Sequence, residues 1–490
     1  MFLLDEGWQA NMEKLETQVI IVGGGISGLS AAYYLEQQAA AGNYPLTTTI
    51  IEKAPRLGGK IATHHSNGFI MEGGPESFVT RKPEAWELCH ELGIADRLVG
   101  TTNSGKNYVL HNGRPAPVPM GPGAFISTPL LSATGKLRVL KEPFVAPRSD
   151  NGDESLGSFL RRRIGDEMVD NIVKPAIGSV YLGNVDQMSV AVSFGQFAQM
   201  EREHGSLVKG MFALMKQKRA ERKASGAPKP PKKPTFATLK NGLTELVDAL
   251  ADAIRGEILT NTAVSTLTHN PTQSQPYTLT LSSGETISAH AVILTTPTFA
   301  MADLLQDVDT AVANQLRTII YNPVTTVNIA FNRSDIADPF DGFGVVVPDT
   351  ESSQLLAVEG MSVKFPHRAP NDQFVLRAFV GGQKHANLVT LPDDELIDLV
   401  RRELAGIFDI TAEPTAVQIF HWQPANPQPA VGHLAMIADI EAQLAAKLPN
   451  LYLTGAGLRG QGIPDCIRQS RTVITQIIEE ISQTEAHQEA

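Results

Sequence analysis

The sequence predicts an α/β protein built around a dinucleotide-binding β-α-β unit, and three observations carry that prediction. A strand-like run, Gln18-Val19-Ile20-Ile21-Val22, leads directly into Gly23-Gly24-Gly25-Ile26-Ser27-Gly28. A helical run follows from Leu29 to about Ala41, and a second strand, Thr47 to Glu52, ends on a carboxylate 24 residues beyond Gly28. Parallel strands need such a crossover helix between them. At 490 residues the chain exceeds one typical domain, and 42% hydrophobic with 19% charged residues is an ordinary globular balance.

Charge and cysteine usage narrow the function classes. A formal charge of −11 argues against a bulk nucleic-acid binder, which needs a basic face to neutralise phosphates. Cys89 and Cys466 are the only cysteines, so neither a disulfide framework nor a metal site is expected, and a reducing compartment fits. Residues Met1 to Gln18 carry Asp5, Glu6, Glu13 and Glu16 and lack the basic start and apolar core of a signal peptide, so a frayed extension is expected there. The apolar stretch Val19 to Leu35 is interrupted by glycines and falls short of the ~20 residues that cross a bilayer. A cytoplasmic protein, at most peripheral at the inner face of the membrane, is the expectation.

Beyond Pro83 the pattern is helical and irregular, with Pro/Gly-rich connections at 114–129 and 143–152 and a helical block from Leu156 to about Met215. Lys216 to Pro234 interleaves eight basic residues with four prolines and reads as a solvated loop, either a mobile linker or an electrostatic contact to anionic lipid headgroups. An amphipathic helix is expected at Leu243 to Ile254. Strands are expected at Ile258 to Leu267, Tyr277 to Leu281 and Ala291 to Thr296, and a strand-rich region at Thr325 to Val380. A short strand, Leu451 to Thr454, a glycine-rich turn and a helix from Ile463 to about Ser482 close the chain.

The glycines have distinct jobs. Gly23 permits the tight turn, Gly25 lets backbone approach a pyrophosphate, and Gly28 lets helix and strand pack closely. The helix N-terminus offers free N–H groups to phosphate, and Glu52 can accept hydrogen bonds from a ribose. Arg56-Leu57-Gly58-Gly59-Lys60 forms a second flexible loop with cations flanking the phosphate region. No hydrolytic constellation accompanies them: there is no Gly-x-Ser-x-Gly and no His-Glu-x-x-His. His64 and His65 lie beside an expected turn, where solvent exposure is expected, and His421 and His433 have no metal-ligand spacing, so structural roles are expected for those two.

The Arg56–Lys60 loop resembles the signature of the flavin-dependent amine oxidase, desaturase and porphyrinogen oxidase superfamily, and Thr454 to Asp465 suits it too. Ile26-Ser27-Gly28-Leu29, Gly58-Gly59-Lys60-Ile61-x-Thr63, Gly73-Gly74-Pro75-Glu76-Ser77-Phe78 and Ile463-Pro464-Asp465-Cys466-Ile467 resemble, more closely, the porphyrinogen oxidases of haem biosynthesis. Arg161 to Glu167, Val180 to Asn184 and Pro429-x-x-Gly432-His433 extend the likeness over 18–478, which looks most like the coproporphyrinogen-oxidising branch of Gram-positive-type bacteria. The resemblance implies an FAD-binding, Rossmann-like domain of the glutathione-reductase type in three parts, 1–82, 206–300 and 421–490. It also implies a helical, membrane-binding-like lobe at 83–205 and an inserted substrate domain at 301–420. The implied reaction is the six-electron oxidation of coproporphyrinogen III, with protoporphyrinogen IX next, using oxygen and releasing hydrogen peroxide. Contact with the next enzyme of the haem route belongs to the same expectation. A flavin amine oxidase, a carotenoid-type desaturase or a non-catalytic flavoprotein remain alternatives.

The resemblance also implies site residues. For FAD these are Gly23, Gly25, Ile26, Ser27, Gly28, Glu52, Lys53, Arg56, Gly58, Gly59, Lys60, Gly74, Pro75, Glu76, Ser77, Val264, Trp422, Gly455, Gly457, Gly462, Ile463 and Pro464. Phe343, Val346 and Phe379 resemble the apolar groups that hold a pyrrole ring over the flavin. Lys82, with Arg81 beside it, is the first candidate for a propionate, and Ser179 lies on the cavity wall. Lys106 stands near the position where eukaryotic relatives carry a carboxylate-binding arginine, and a lysine there is a point charge, not a fork.

Overall fold

The computed structural model describes residues 17–102, 105–150, 152–225, 233–337 and 340–488, so the expected N-terminal extension lies outside the described residues. Five parallel strands from distant parts of the chain form one sheet, ordered Glu257–Leu259, Leu46–Ile51, Thr17–Val22, Ala291–Leu294, Leu451–Leu453. Its central strand is apolar on both faces, as a doubly covered parallel strand must be. Val19 and Ile21 pack with the helices Ile26–Gly42, Thr244–Ala253 and Ile463–Gln488, whereas Ile20 and Val22 pack with residues of the Tyr277–Leu281 strand and of helices Thr298–Leu305 and His433–Lys447.

A second, seven-stranded sheet runs Ala416–Gln428, Ile320–Asn332, Gln373–Gly381, Leu355–Gly360, Gly342–Val346, Lys106–His111, Arg114–Pro117. Strand alternation divides it into two faces. Val327, Val345, Val358 and Ala378 point to the helix Asp393–Phe408 and form a dry core. Thr326, Asn328, Val346, Ala357, Glu359, Arg377, Phe379, Phe420 and Trp422 share the other face by register, and the loop 72–76 lies across it.

Four expectations change. Within 83–205 the chain also forms strands at Leu98–Gly100, Lys106–His111 and Arg114–Pro117, the last two belonging to the seven-stranded sheet. That sheet also reaches well past 420, to Gln428. The strand expected over Ile258 to Leu267 is two strands, Glu257–Leu259 and Val264–His269, separated by Asn261 at φ 52°. Residues 216–225, expected in a loop, complete the helix Leu207–Ser225. Lys, Arg, Ala and Glu are good helix formers, and their charge does not break a helix; the first proline, Pro228, belongs to 226–232, outside the described residues.

The helical lobe packs around Leu156, Phe159, Leu160, Val169, Val185 and Met188. Buried Arg163 donates through Nε to Glu142 Oε1 at 2.8 Å. Glu142 in turn accepts from Ser206 Oγ at 2.6 Å and from the Leu207 and Val208 N–H groups, capping the Leu207–Ser225 helix.

Candidate functional site

The two glycine loops interlock. Gly23 has φ 112°, and a Cβ on it would lie 2.6 Å from Thr295 Oγ1; one on Gly28 would lie 1.9 Å from the Gly23 carbonyl. Gly25 differs: a Cβ there would have nothing within 4 Å except Gly59 Cα at 4.0 Å. The space over Gly25 and Gly59 is therefore an open backbone cradle. It sits at the start of the Ile26–Gly42 helix, which has no side-chain cap and no acidic residue in its first turn. Glu52 accepts from Gly24 N–H at 2.7 Å and from Ala54 N–H at 2.8 Å, which fixes its carboxylate at the edge of that cradle. Val264 begins a strand just after Asn261 and Thr262, whose N–H groups donate to the Ala54 and Glu52 carbonyls.

The cations of the second loop are engaged with backbone. Arg56 donates to the carbonyls of Leu57, Gly59 and Ile61 at 2.7–3.1 Å, so it braces its own loop. Lys60 donates to the Ala425 carbonyl and lies 5.5 Å from the Tyr321 ring; burial pulls its ammonium down to about 8. Lys53 is exposed. Ser27 is tied to the last helix through Ser470 Oγ, which donates to its carbonyl at 2.9 Å. Gly455 has φ 145°, Gly457 leaves room for the Tyr321 hydroxyl, and Gly462-Ile463-Pro464 opens the last helix. An open cradle, uncapped helix N–H groups and a fixed carboxylate fit a dinucleotide with a ribose and a pyrophosphate.

Residues 72–76 form the seam between the two sheets. The Gly73 carbonyl accepts from Thr326 Oγ1, Arg377 Nη2 and Trp422 Nε1, each at 2.9 Å. Arg377 also donates to the Gly74 carbonyl. A Cβ on Gly73 would strike Phe420 and one on Gly74 would strike the Lys60 carbonyl, so both positions need glycine. Pro75 and Ser77 are half-buried, but Glu76 turns inward to Lys364, which also pairs with Glu359 at 2.8 Å. Burial would raise the Glu76 carboxyl, yet Lys364 and Arg377 hold it below the ordinary carboxylate value.

A narrow cleft opens beside the last helix, lined by Lys82, Tyr181, Ser193, Pro427, Gly457 and Asp465. Lys82 Nζ pairs with both Asp465 oxygens at 2.6–2.7 Å while its side chain stays 37% exposed. Exposed Arg81 lies close enough to influence Tyr181, and no acidic partner is found for it among the described residues. Phe379 and Trp422 meet over Val324, Leu182 and Ala425. Val346 shares their face but packs against Val109, Leu130 and Ile172. Phe343 sits at a register shift over Gly105, Lys106 is exposed, and Ser179 Oγ donates to the Ala176 carbonyl of its own helix.

His421 bonds Asp393 and Thr325 on the far face, buried His433 bonds the Leu458 carbonyl, and Cys89 and Cys466 are free buried thiols. A cleft of about 770 Å³ between the Ile26–Gly42 and Thr244–Ala253 helices shares no residue with either glycine loop. Sequence reasoning missed Thr326, Glu359, Lys364 and Arg377. The available signal was an arginine inside the apolar strand Phe374-Val375-Leu376-Arg377-Ala378-Phe379, because a buried charge needs partners.

The comparisons agree with this geometry. Residues 26–478 match the family of flavin containing amine oxidoreductases. The coproporphyrinogen III oxidase of Bacillus subtilis (strain 168) is 35% identical over 475 residues, 95% of this chain and 98% of that one. The chloroplastic protoporphyrinogen oxidase of Nicotiana tabacum is 28% identical over 94% of this chain and 85% of that one. A solved structure from Exiguobacterium sp. 255-15, provisionally named a protoporphyrinogen oxidase, is 31% identical, with a TM-score of 0.82 over 95% of this chain and 99% of that one.

Proposed function

The chain belongs to the family of flavin containing amine oxidoreductases and is an FAD-dependent oxidoreductase; from that premise we propose that it takes six hydrogens from a porphyrinogen to leave an aromatic porphyrin, with coproporphyrinogen III ahead of protoporphyrinogen IX. FAD supplies the hydride acceptor for three two-electron steps, with oxygen as final acceptor and hydrogen peroxide as by-product. Gly25, Gly59 and the first turn of the Ile26–Gly42 helix hold the pyrophosphate and Glu52 holds a ribose. The backbone of residues 73–76 and of 455–463 borders the flavin, with Trp422 steadying the first of these stretches. Phe379 and Val346 offer the apolar face for a pyrrole ring.

The observation that carries the substrate class is the cleft that holds Tyr181 and Lys82, the latter next to Arg81 in sequence, and that adjoins, through Leu182, the cluster of Phe379 and Trp422. A porphyrinogen is large, apolar at its centre and anionic at its propionates, whereas an amine arrives as a cation and would be repelled. Arg81, with no acidic partner among the described residues, is the stronger anchor; Lys82 already answers Asp465. Anaerobic addition of coproporphyrinogen III to the FAD-loaded protein is expected to bleach the flavin absorption. Bleaching by a primary amine and not by the porphyrinogen would replace this reading with an amine oxidase.

No helix among the described residues is long and apolar enough to cross a membrane. A peripheral seat on the inner leaflet, from the cytoplasm, fits the helical lobe. Val208, Met211, Phe212 and Met215 recur at helical spacing on one solvent-facing stripe, and Phe144, 88% exposed, stands beside them with Leu137 and Leu140. Residues 118–149 and 205–220 contain a single acidic residue, buried Glu142, against Lys136, Lys141, Lys209, Lys216, Lys218 and Arg219 among their cations. Apolar side chains ringed by cations suit an anionic bilayer surface.

A further inference from the structure

We propose that Glu359 is the proton acceptor of the reaction, its carboxylate oxygen Oε2 taking up, through ordered water, the proton released at each two-electron step. The inference rests on the porphyrinogen reading above. Each step breaks one C–H bond, whose hydrogen leaves with its electron pair for the bound flavin. It also releases one proton, from a pyrrole N–H bond in two of the steps and from the fourth meso carbon in the other, and the electron pair left behind completes the new double bond, so that four meso hydrogens and two N–H hydrogens are lost in all. Three steps therefore release three protons beside an apolar face that cannot solvate them.

Glu359 is the only Asp or Glu in all seven strands of the substrate sheet. It lies on the face shared with Phe379, Val346 and Trp422, directly opposite Arg377, and one same-face step, roughly 7 Å, from the Ala357–Phe379 pair. Its Oε1 accepts from Lys364 Nζ at 2.8 Å. Its Oε2 is buried and accepts no hydrogen bond, and Arg377 Nη1 lies 3.7 Å from it. Glu76 Oε2, Arg377 Nε and two Arg368 nitrogens nearby are likewise buried without partners. Ordered water among such atoms would satisfy them and carry the proton to Oε2 and onward.

The charged groups facing Glu359 come from three directions. Lys364 approaches from the short helix Met361–Lys364, Arg377 from the neighbouring strand, and Glu76 from the loop after Phe69–Glu72, with Arg368 behind Glu76 on Glu72. The other neighbouring strand presents uncharged Gly344. The helix Lys174–Tyr181, packed on the same strand, directs its one charged side chain, Lys174, to Asp349 and Asp186. Burial, reinforced by Glu76, raises the Glu359 carboxyl above its ordinary value, against Lys364 and Arg377. A raised carboxylate is a better proton acceptor near neutral pH.

The test compares the FAD-loaded protein with Glu359→Gln, Glu76→Gln and Lys364→Met. Two readouts are followed against pH: kcat with coproporphyrinogen III, and the infrared carboxyl band of the resting protein. Glu359→Gln should lose its titrating carboxyl band and the acid limb of kcat, with kcat down on the order of 10²-fold while KM and FAD content stay within about twofold. Removing the like charge of Glu76 should move the acid limb and the band to lower pH. Removing the Lys364 cation should move both to higher pH. Those opposite shifts decide the matter even where Glu359→Gln loses FAD, since a merely structural network would not produce them. Wild-type kcat with an unaltered acid limb in Glu359→Gln, or no shift in the other two variants, would overturn the proposal. Failure of the wild-type protein to form any porphyrin would instead remove the porphyrinogen reading, and this role with it.

Discussion

Gly25 and Gly28 stand three residues apart under opposite constraints. A methyl on Gly28 collides with the Gly23 carbonyl, whereas a methyl on Gly25 enters open space above the helix start. Gly28→Ala should therefore cost on the order of 1–3 kcal/mol of stability through overpacking. Gly25→Ala should purify with little FAD and melt at the Tm of the FAD-free wild-type protein, whereas Gly28→Ala should melt below it; thermal melting and the flavin-to-protein absorbance ratio separate the two. At the cleft mouth the same logic ranks Arg81 over Lys82. Arg81→Ala should raise KM for coproporphyrinogen III by roughly three- to tenfold, as expected for a partly exposed charge-assisted contact. Lys82→Ala should raise it less, because Asp465 already holds that ammonium and keeps Arg468 at 2.9 Å when Lys82 is gone. Steady-state kinetics with FAD content measured in parallel checks both.

At the scale of elements, the lobe depends on one buried carboxylate. Burial works to raise Glu142, but hydrogen bonds from Ser206, Arg163, Leu207 and Val208 outweigh it and hold the carboxyl below its ordinary 4.5. A depressed folded value means that its stabilisation is complete above the ordinary value and is lost as the pH falls through the folded one. Acidification from about pH 5 to about pH 3 should therefore loosen residues 133–225, and Glu142→Gln should remove that pH dependence. Hydrogen exchange followed segment by segment reads it. The elements also show what a linear reading can reach. The β-α-β unit was legible because its glycines, apolar strands and carboxylate lie within 35 residues of one another. The helix Leu207–Ser225 was cut short because a run of cations looks like a loop when only its composition is weighed. No strand is expected from sequence at Ala416–Gln428, where Pro424 and Pro427 argue against one; the strand found there runs along the sheet edge, where proline is tolerated. The grip on Gly73 was out of reach for a different reason: its donors, Thr326, Arg377 and Trp422, lie 253 to 349 residues away in sequence. Only the pairing of three adjacent strands of one sheet, with residues 72–76 laid across them, brings them together.

Taken whole, the molecule separates its charges. A chain of net charge −11 presents a lobe face whose exposed side chains are apolar or basic. The protein should sediment with vesicles rich in anionic lipid and not with zwitterionic ones, and added salt should release it. Phe144→Ser with Phe212→Ser should abolish sedimentation without altering Tm, since both side chains are exposed. In the proposed function two sheets make one reaction chamber: the parallel sheet would supply the dinucleotide loops, the seven-stranded sheet Phe379, Trp422 and Glu359, and residues 72–76 bind one to the other. The most direct test of that chamber's purpose is aerobic turnover of the FAD-loaded protein with coproporphyrinogen III and protoporphyrinogen IX side by side, reading porphyrin fluorescence and peroxide together. Porphyrin and peroxide should appear with both, faster with the four-carboxylate substrate. Silence with both, from protein that holds FAD, would contradict the assignment.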